Sequence, residues 1–389
     1  MPTEKEKLIF WLPTYPEIME SLLISLAKTY DVQIFCLAGL LRERQDMYAN
    51  SRLSQACRVQ FVADDADLSA YVRPIIEENR EAVQVFGGFR GKVGTVLRTY
   101  SNCGLTKGVV LTEKPGFVPV KRFNRVVRFL KNIRSKKIYG NAYRQVADAI
   151  CGVLVTGEAG VRMLHAYGIP EDKLYPFMYT HIDEIASAET TTSTEDVSTV
   201  RFLYIGRFEY LNRGMDSLVE AFRNRQETNW TLDLVGGYGE AAEEVIRWAE
   251  NTERVNYIGK WQSDEVIDRM RAYDVCVSPT RLDGWRIQVN QAIMAGIATL
   301  TTNEAVSDEL VRASNSGMVV NAFRNRELRE AVTRILKDPT MIAEWKANAR
   351  AFAPRITNEA AAAYFSKVLQ FSTSRKGGKP SCPWIDPTV

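Results

Sequence analysis

The sequence has little histidine: His165 and His181 are the two in 389 residues. A zinc site or a Cys/His catalytic pair therefore has almost nothing to build from. Its six cysteines (Cys36, Cys57, Cys103, Cys151, Cys276, Cys382) show no CxxC or metal-ligand spacing, and several sit in apolar runs. That is the pattern of buried free thiols in a reducing compartment. No run approaches ~20 apolar residues, and MPTEKEKLIFWLP places a handful of apolar residues after a charged start, so neither a membrane span nor a signal peptide is read. A cytoplasmic protein is expected. A net charge of +3 gives no argument for a polyanion partner from overall charge. What is present, 46% hydrophobic and 25% charged residues over a length of about two domains, is the make-up of a soluble globular protein.

Strand and helix patterns alternate through the first half. KLIFWL (7–12) reads as a buried strand, 17–29 as a helix with Ile18, Leu22, Leu23, Leu26 and Ala27 on one face, and 32–37 as the next strand. A helix over 67–78 and strands over 83–86 and 109–112 come next, which argues an α/β domain. GGFRGK (87–92) invites a phosphate-loop reading and fails it. The glycine spacing is one short, and Val93 stands where Ser or Thr would bind magnesium. It is read instead as a glycine-rich turn lining a cleft.

Local charge is uneven. Residues 114–147 hold ten Lys or Arg and no Asp or Glu, with Phe123, Val126, Val127, Leu130 and Ile133 at helical spacing. This spacing predicts a basic amphipathic helix, with Arg122, Arg125, Arg128 and Lys131 as residues facing a membrane or an acceptor. Such helices lie on anionic membranes or hold anionic ligands; a solvated basic face over a core-packing stripe is the plainer reading. Nucleic acid is not expected, since neither an RNA-binding motif nor stacking aromatics accompany the charge.

Residues 150–183 read as strand, helix, turn and strand, with His165 a packed or surface histidine. The Thr-rich stretch 184–199 reads as a linker. A second domain opens with RFLYI (201–205), Gly206 and Arg207, a helix through Leu218, Val219 and Phe222, and Arg213-Gly214 before it. A strand over 232–235 ends in Gly236-Gly237-Tyr238-Gly239. After the next strand Lys260 and Trp261 come within reach of a ligand, and Ser263 is placed to cap a helix over 264–272. The densest signal lies at 274–310. It comprises a strand (275–277), a polar loop with Arg281, Asp283 and Gly284, a helix from about Arg286 to Ala295 ended by Gly296, and a strand over 298–302. A loop leading from a strand into a helix N-terminus is where doubly wound sheets bind anions. Helices are read over 325–337, 340–352 and 357–370, then a Lys-, Gly- and Pro-rich tail (373–389).

The 283–296 stretch resembles the donor-site signature of retaining GT-B glycosyltransferases of the family 4 type. Asp283-Gly284-Trp285-Arg286 and Gln291-Ala292 stand where that family has Glu-Gly-Phe-Gly and Glu-Ala, so both acidic positions of its Glu-x7-Glu pattern are altered. The resemblance covers about 150–370. It implies an α/β GT-B fold: a Rossmann-like acceptor domain (1–183), a linker (184–200), a Rossmann-like nucleotide-sugar domain (201–355) and a helix (356–372) crossing back to the first domain. It further implies a nucleotide-sugar donor held by Gly206, Arg207, Arg213, Gly236, Lys260, Gly284, Trp285, Arg286, Ile287 and Gln291. Arg207, Arg213 and the helix start offset the diphosphate charge, so no metal and no cofactor are expected. Asp283 falls near the transferred sugar and Gln291 near the ribose. Many relatives place a His after a first-domain strand, facing the sugar; here Glu113 takes that place, or else pairs with Lys114 or another neighbouring cation. Asp65-Ala66-Asp67 formally matches the metal-binding Asp-x-Asp of the other glycosyltransferase fold, but it precedes a helix, so a capping role is the better reading. The implied activity is retaining, hexosyl-type transfer to a saccharide or lipid-linked glycan in bacterial surface-polysaccharide assembly, peripheral on the inner face of the cell membrane. The altered acidic pair keeps open a catalytically silent nucleotide-sugar-binding partner of another transferase.

Overall fold

The structure, a computed structural model, describes residues 5–37, 51–62, 67–116, 125–180 and 199–385. Two parallel sheets organise them. The first takes β1 (Lys7–Leu12), β2 (Asp31–Cys36), β3 (Arg58–Phe61), β4 (Val83–Phe86), β5 (Gly108–Thr112), β6 (Ile150–Thr156) and β7 (Leu174–Phe177), in the order β3-β2-β1-β4-β5-β6-β7. The second takes β8 (Val200–Gly206), β9 (Trp230–Gly236), β10 (Val255–Gly259), β11 (Val275–Ser278), β12 (Ala298–Thr302) and β13 (Gly317–Val320), in the order β10-β9-β8-β11-β12-β13. Apolar runs such as Leu8–Trp11 and Val153–Val155 are fully buried because helices cover both faces of a parallel sheet. In each sheet the strand order reverses once, between β1 and β4 and between β8 and β11. Such a switch point opens a crevice beyond the carboxyl ends of the strands.

The two sheets share a core. One apolar cluster joins Leu8, Phe10 and Phe177 of the first domain to Trp285, Val289 and Ile293 of the second and to Tyr364, Phe365 and Val368 of the last helix. That helix, Asn358–Ser374, packs on the first domain. Phe365 meets Phe10 and Phe177 with ring centroids 6.2 and 6.3 Å apart. The residues after it correct the expectation of a loose tail: Cys382 and Trp384 are buried, and Trp384 meets Tyr364 edge to face at 5.2 Å. The Lys, Gly and Pro content belongs to 375–381; Cys382-Pro383-Trp384-Ile385 is an apolar anchor that average composition conceals.

Local chemistry explains several boundaries. Asp67 caps the Leu68–Glu78 helix, accepting from the Ser69 and Ala70 amides at 3.1 and 3.2 Å; Asp65 lies outside the described residues. Gly296 ends the Ile287–Ala295 helix in the left-handed region at φ 71°. Ser263 is not a side-chain cap, because a 3-10 turn over Ser263–Glu265 precedes the short helix Val266–Met270. The basic segment forms a helix over Arg125–Arg144. Its last turns pack through Tyr139, Ala142 and Tyr143. Its first turns leave Phe129, Leu130 and Ile133 at 63%, 58% and 51% exposure, so this stripe does not pack on a core. Arg122, His181 and Asp183 lie outside the described residues, as do most of the linker and the side chains of Arg125 and Arg128.

Candidate functional site

On the second domain the site is built where β8, β9 and β11 end. Gly206 (φ 146°) and Gly236 (φ 140°) adopt backbone that favours glycine, and the two strand ends touch there. A Cβ on Gly236 would lie 1.9 Å from the Gly206 carbonyl oxygen, and one on Gly206 would lie 2.7 Å from Arg286 Nη2. The contact brings the loops after two strands together and admits a guanidinium between them. Arg286 is buried: its Nε donates to Ser278 Oγ at 2.9 Å and its Nη2 to the Ile205 carbonyl at 2.8 Å. Burial holds its affinity for the proton below the usual arginine range. Beside it, Tyr204 donates to the Arg207 carbonyl at 2.5 Å, and burial pushes its phenol up to about 12.

Asp283 collects the charge of this region. Arg213 forms an ion pair with it, Arg286 Nη1 stands 4.0 Å from its Oδ2, and the Trp285 amide donates to its Oδ1 at 3.4 Å. The loop thus closes on itself just before the helix that starts at Ile287. Arg207 is exposed, 3.5 Å from Glu209. Lys260 sits over the Tyr238 ring at 3.7 Å, a cation–π contact at the glycine-rich bend. Gln291 is buried and its Oε1 accepts no hydrogen bond among the described residues. A buried carbonyl without a donor is costly unless a ligand supplies one. Trp285 differs from the donor-facing position expected for it: its ring is packed in the shared core and donates to Asn290 Oδ1 at 2.9 Å. Arg281 acts as a brace, donating to the Tyr210 carbonyl, Asp216 and Ser217 at 2.9, 2.8 and 2.6 Å.

On the first domain a cavity of about 400 Å³ opens at the ends of β1, β4 and β5. It is walled by Leu12 to Met19, Gly87, Leu111 to Glu113, and Tyr179. Gly87 is the cleft-lining glycine expected from GGFRGK. A larger hollow of about 690 Å³ lies between the Met215–Phe222 and Ala242–Glu250 helices. It carries neither Glu113 nor Asp283.

The two halves meet at Glu113. A Cβ on Gly284 would lie 2.0 Å from Glu113 Oε2, so the bare backbone of Gly284 is what lets the carboxylate reach the Asp283 loop. Glu113 is exposed to the cleft, yet the protein around it removes part of its solvation. That desolvation, then the Asp283 charge, raises the Glu113 carboxyl above its ordinary range, while a hydrogen bond from Tyr179 opposes the rise. Lys114 is drawn to Glu304 across the domain gap at 3.9 Å. Glu113 therefore faces Asp283 and Tyr179, and the alternative pairing with Lys114 is not the arrangement observed. Nearby, Glu309 accepts from the Glu158 amide at 2.8 Å, again across the gap. Among the described residues no group of three or more His, Cys, Asp and Glu is placed to hold a metal ion.

Sequence patterns missed Tyr179 and Asn290. Asn290 Nδ2 donates to the Tyr179 carbonyl at 3.3 Å, which fixes a residue lining the same cavity as Glu113. The signal available was weak: a polar residue on an otherwise apolar helix face, and a tyrosine just past β7.

Residues 199–338 match the family model described as glycosyl transferases group 1. No curated protein matches the chain. HepE from Anabaena, solved in complex with UDP and glucose, aligns over 94% of this chain and 99% of its own at 15% identity and a TM-score of 0.69. Sucrose-phosphate synthase from Thermosynechococcus elongatus aligns over 96% and 100% at 15% identity and 0.67. WaaG, a glycosyltransferase involved in lipopolysaccharide biosynthesis, aligns over 95% and 100% at 16% identity and 0.58.

Proposed function

We propose that this chain, whose fold is GT-B and whose second domain matches the glycosyl transferases group 1, moves a hexosyl-type sugar from a nucleotide-diphosphate donor to a glycan acceptor with retention. The observation that carries the reading is the meeting of two carboxylates from opposite domains, Glu113 and Asp283, beside a cluster of cations at a helix start. The donor lies on the second domain. Its diphosphate rests against Arg207, Arg213 and the amides at Ile287, where fixed positive charge stabilises the departing nucleoside diphosphate without a metal. Arg213 exchanges part of its bond to Asp283 for the phosphate, and the unpartnered Gln291 Oε1 accepts from a ribose hydroxyl. The sugar then projects toward Asp283 and Glu113.

The acceptor enters the first-domain cavity, where Tyr15, Pro13 and Pro16 offer apolar walls and Glu113 meets its hydroxyl. The acceptor oxygen bonds to the anomeric carbon as the bond to the diphosphate breaks. A carboxyl with raised proton affinity is better suited to take up the hydroxyl hydrogen than an ordinary one. Retention requires approach from the face that the diphosphate leaves.

The acceptor is a saccharide or a lipid-linked glycan of a bacterial surface polysaccharide, presented at an anionic membrane on its cytoplasmic side. Phe129, Leu130 and Ile133 support the membrane part, since exposed apolar residues interleaved with Lys131, Arg134, Lys136 and Lys137 are a surface for the headgroup boundary. No described helix is long and apolar enough to cross a membrane.

The test is release of nucleoside diphosphate from UDP-, GDP- and dTDP-sugars by the wild-type protein and by Arg207→Ala. Release from one donor, lost in the variant, supports the reading. Binding without release in the presence of varied acceptors favours a silent nucleotide-sugar-binding scaffold. Failure to bind any of the three contradicts both.

A further inference from the structure

We propose that Tyr179 and Asn290 are positioning residues that tie the two carboxylates of the cleft into one unit across the domain gap. The claim rests on the site reading above and goes beyond it. A chain of hydrogen bonds leaves Asp283 and returns to its neighbour. The Trp285 amide donates to Asp283 Oδ1 at 3.4 Å, and the Trp285 ring donates to Asn290 Oδ1 at 2.9 Å. Asn290 Nδ2 then reaches the Tyr179 carbonyl at 3.3 Å, with Met178 Sδ at 3.9 Å beside it. Tyr179 and Glu113 line the same cavity, where the Tyr179 hydroxyl favours the charged carboxylate, and that carboxylate lies in the space left by Gly284.

Each link has structural reasons to be rigid. Asn290 and Trp285 are 0% and 3% exposed, so neither amide nor indole can exchange its partner for water. Tyr179 is 8% exposed and is held edge to face against Phe177 at 5.3 Å. Asn290 spends both of its polar groups in the relay, one on each domain. A buried amide used in this way fixes relative placement, because any sliding of one domain over the other breaks a bond that water cannot replace. The relay therefore sets where Glu113 stands relative to Asp283, and it exists when the domains are apposed as here.

The groups facing Glu113 determine how its carboxyl responds when the relay is cut. Asp283 faces it from the second domain and Tyr179 from its own. Glu17 stands on the same cavity wall and Lys114 is held by Glu304. The Tyr179 hydroxyl favours the charged carboxylate. Its removal leaves desolvation and the Asp283 charge unopposed, so Glu113 holds its proton to higher pH.

Tyr179→Phe removes the hydroxyl and keeps the ring, and the protein would be labelled with 13C on glutamate side-chain carboxyls. Glu113→Gln identifies the Glu113 signal. The expected result is a Glu113 titration midpoint displaced to higher pH in Tyr179→Phe. In turnover, kcat falls about tenfold with donor KM within about twofold, and the acid limb of the pH profile moves upward. Asn290→Ala, which cuts the relay without touching Glu113, is expected to lower kcat in the same way. A Glu113 midpoint unmoved by Tyr179→Phe overturns the proposal. A wild-type protein that turns over no sugar nucleotide overturns the transferase reading instead, and the titration still decides whether Tyr179 holds Glu113.

Discussion

The two domains share a strand order over six strands, yet they build their halves of the cleft differently. The second domain makes its half mainly from two short stretches, 204–213 and 283–291, each running from a strand end toward a helix. The first assembles its half from the ends of three strands plus Tyr179, and its key carboxylate, Glu113, finds its place only because Gly284 of the other domain has no side chain. A contiguous site leaves a signature in sequence; a dispersed one leaves order of elements and little else. The difference also divides the chemistry: cations gather on one side, and an apolar cavity with one raised carboxyl lies on the other.

Four variants sharpen or break this contrast. The largest effect is expected at the charged loop. Arg213→Ala strips Asp283 of its ion pair and the diphosphate of a cation, and nucleoside diphosphate release should fall about 10²- to 10³-fold. An activity within tenfold of wild type would remove the second domain's claim to the donor. Next, Gly236→Ala forces a Cβ to 1.9 Å from the Gly206 carbonyl at a φ that resists it. Denaturant unfolding should show the second domain losing at least ~3 kcal/mol, whereas a wild-type midpoint would mean the strand-end contact is dispensable.

Third, Phe129→Ser with Leu130→Ser should weaken binding to anionic vesicles by on the order of a hundredfold while release with a soluble acceptor is unchanged. Equal flotation of both proteins would refute the lipid-facing role of the helix.

The smallest effect lies at the gap. Burial, aided by the Glu158 and Asp308 charges and opposed by the Glu158 amide, raises the Glu309 carboxyl to about 8. Because the folded state holds that proton and the unfolded chain releases it at the ordinary value, this stabilisation is complete below about pH 4.5 and is lost as pH rises toward 8. Glu309→Gln should therefore flatten the fall in thermal midpoint over that window, and a parallel pH dependence in both proteins would show that the group is not buried as described.

Much of the fold was legible. Parallel strands with both faces covered appear as apolar runs, and turn chemistry punctuates them, so β12 and the helices over 325–337 and 340–352 fall where periodicity places them. The weak signals failed for physical reasons. β3 is short and half exposed, and the Gly91–Asn102 helix hides behind two glycines. Trp384 was lost because an anchor of a few residues cannot outweigh a Lys-, Gly- and Pro-rich neighbourhood. In the site, Asp283, Arg213, Arg286 and Glu113 were all named from sequence and the structure brings them together. Trp285 was assigned to the ligand because it stands in the stretch that resembles the donor-site signature; shared burial between domains, which no local pattern encodes, takes it into the core. The Asn290–Tyr179 bond joins residues 111 apart in the chain, and such a contact is invisible until the domains are docked.

The most direct test of the central claim separates donor binding from chemistry at the carboxylate supplied by the other domain. Calorimetric affinity for the preferred sugar nucleotide and nucleoside diphosphate release would be measured on wild type and Glu113→Gln. If the donor rests on the second domain, affinity stays within about twofold and release falls by about two orders of magnitude or more. Undiminished release in Glu113→Gln, or an affinity that collapses along with it, would contradict the assignment of donor and carboxylate to opposite sides of the cleft.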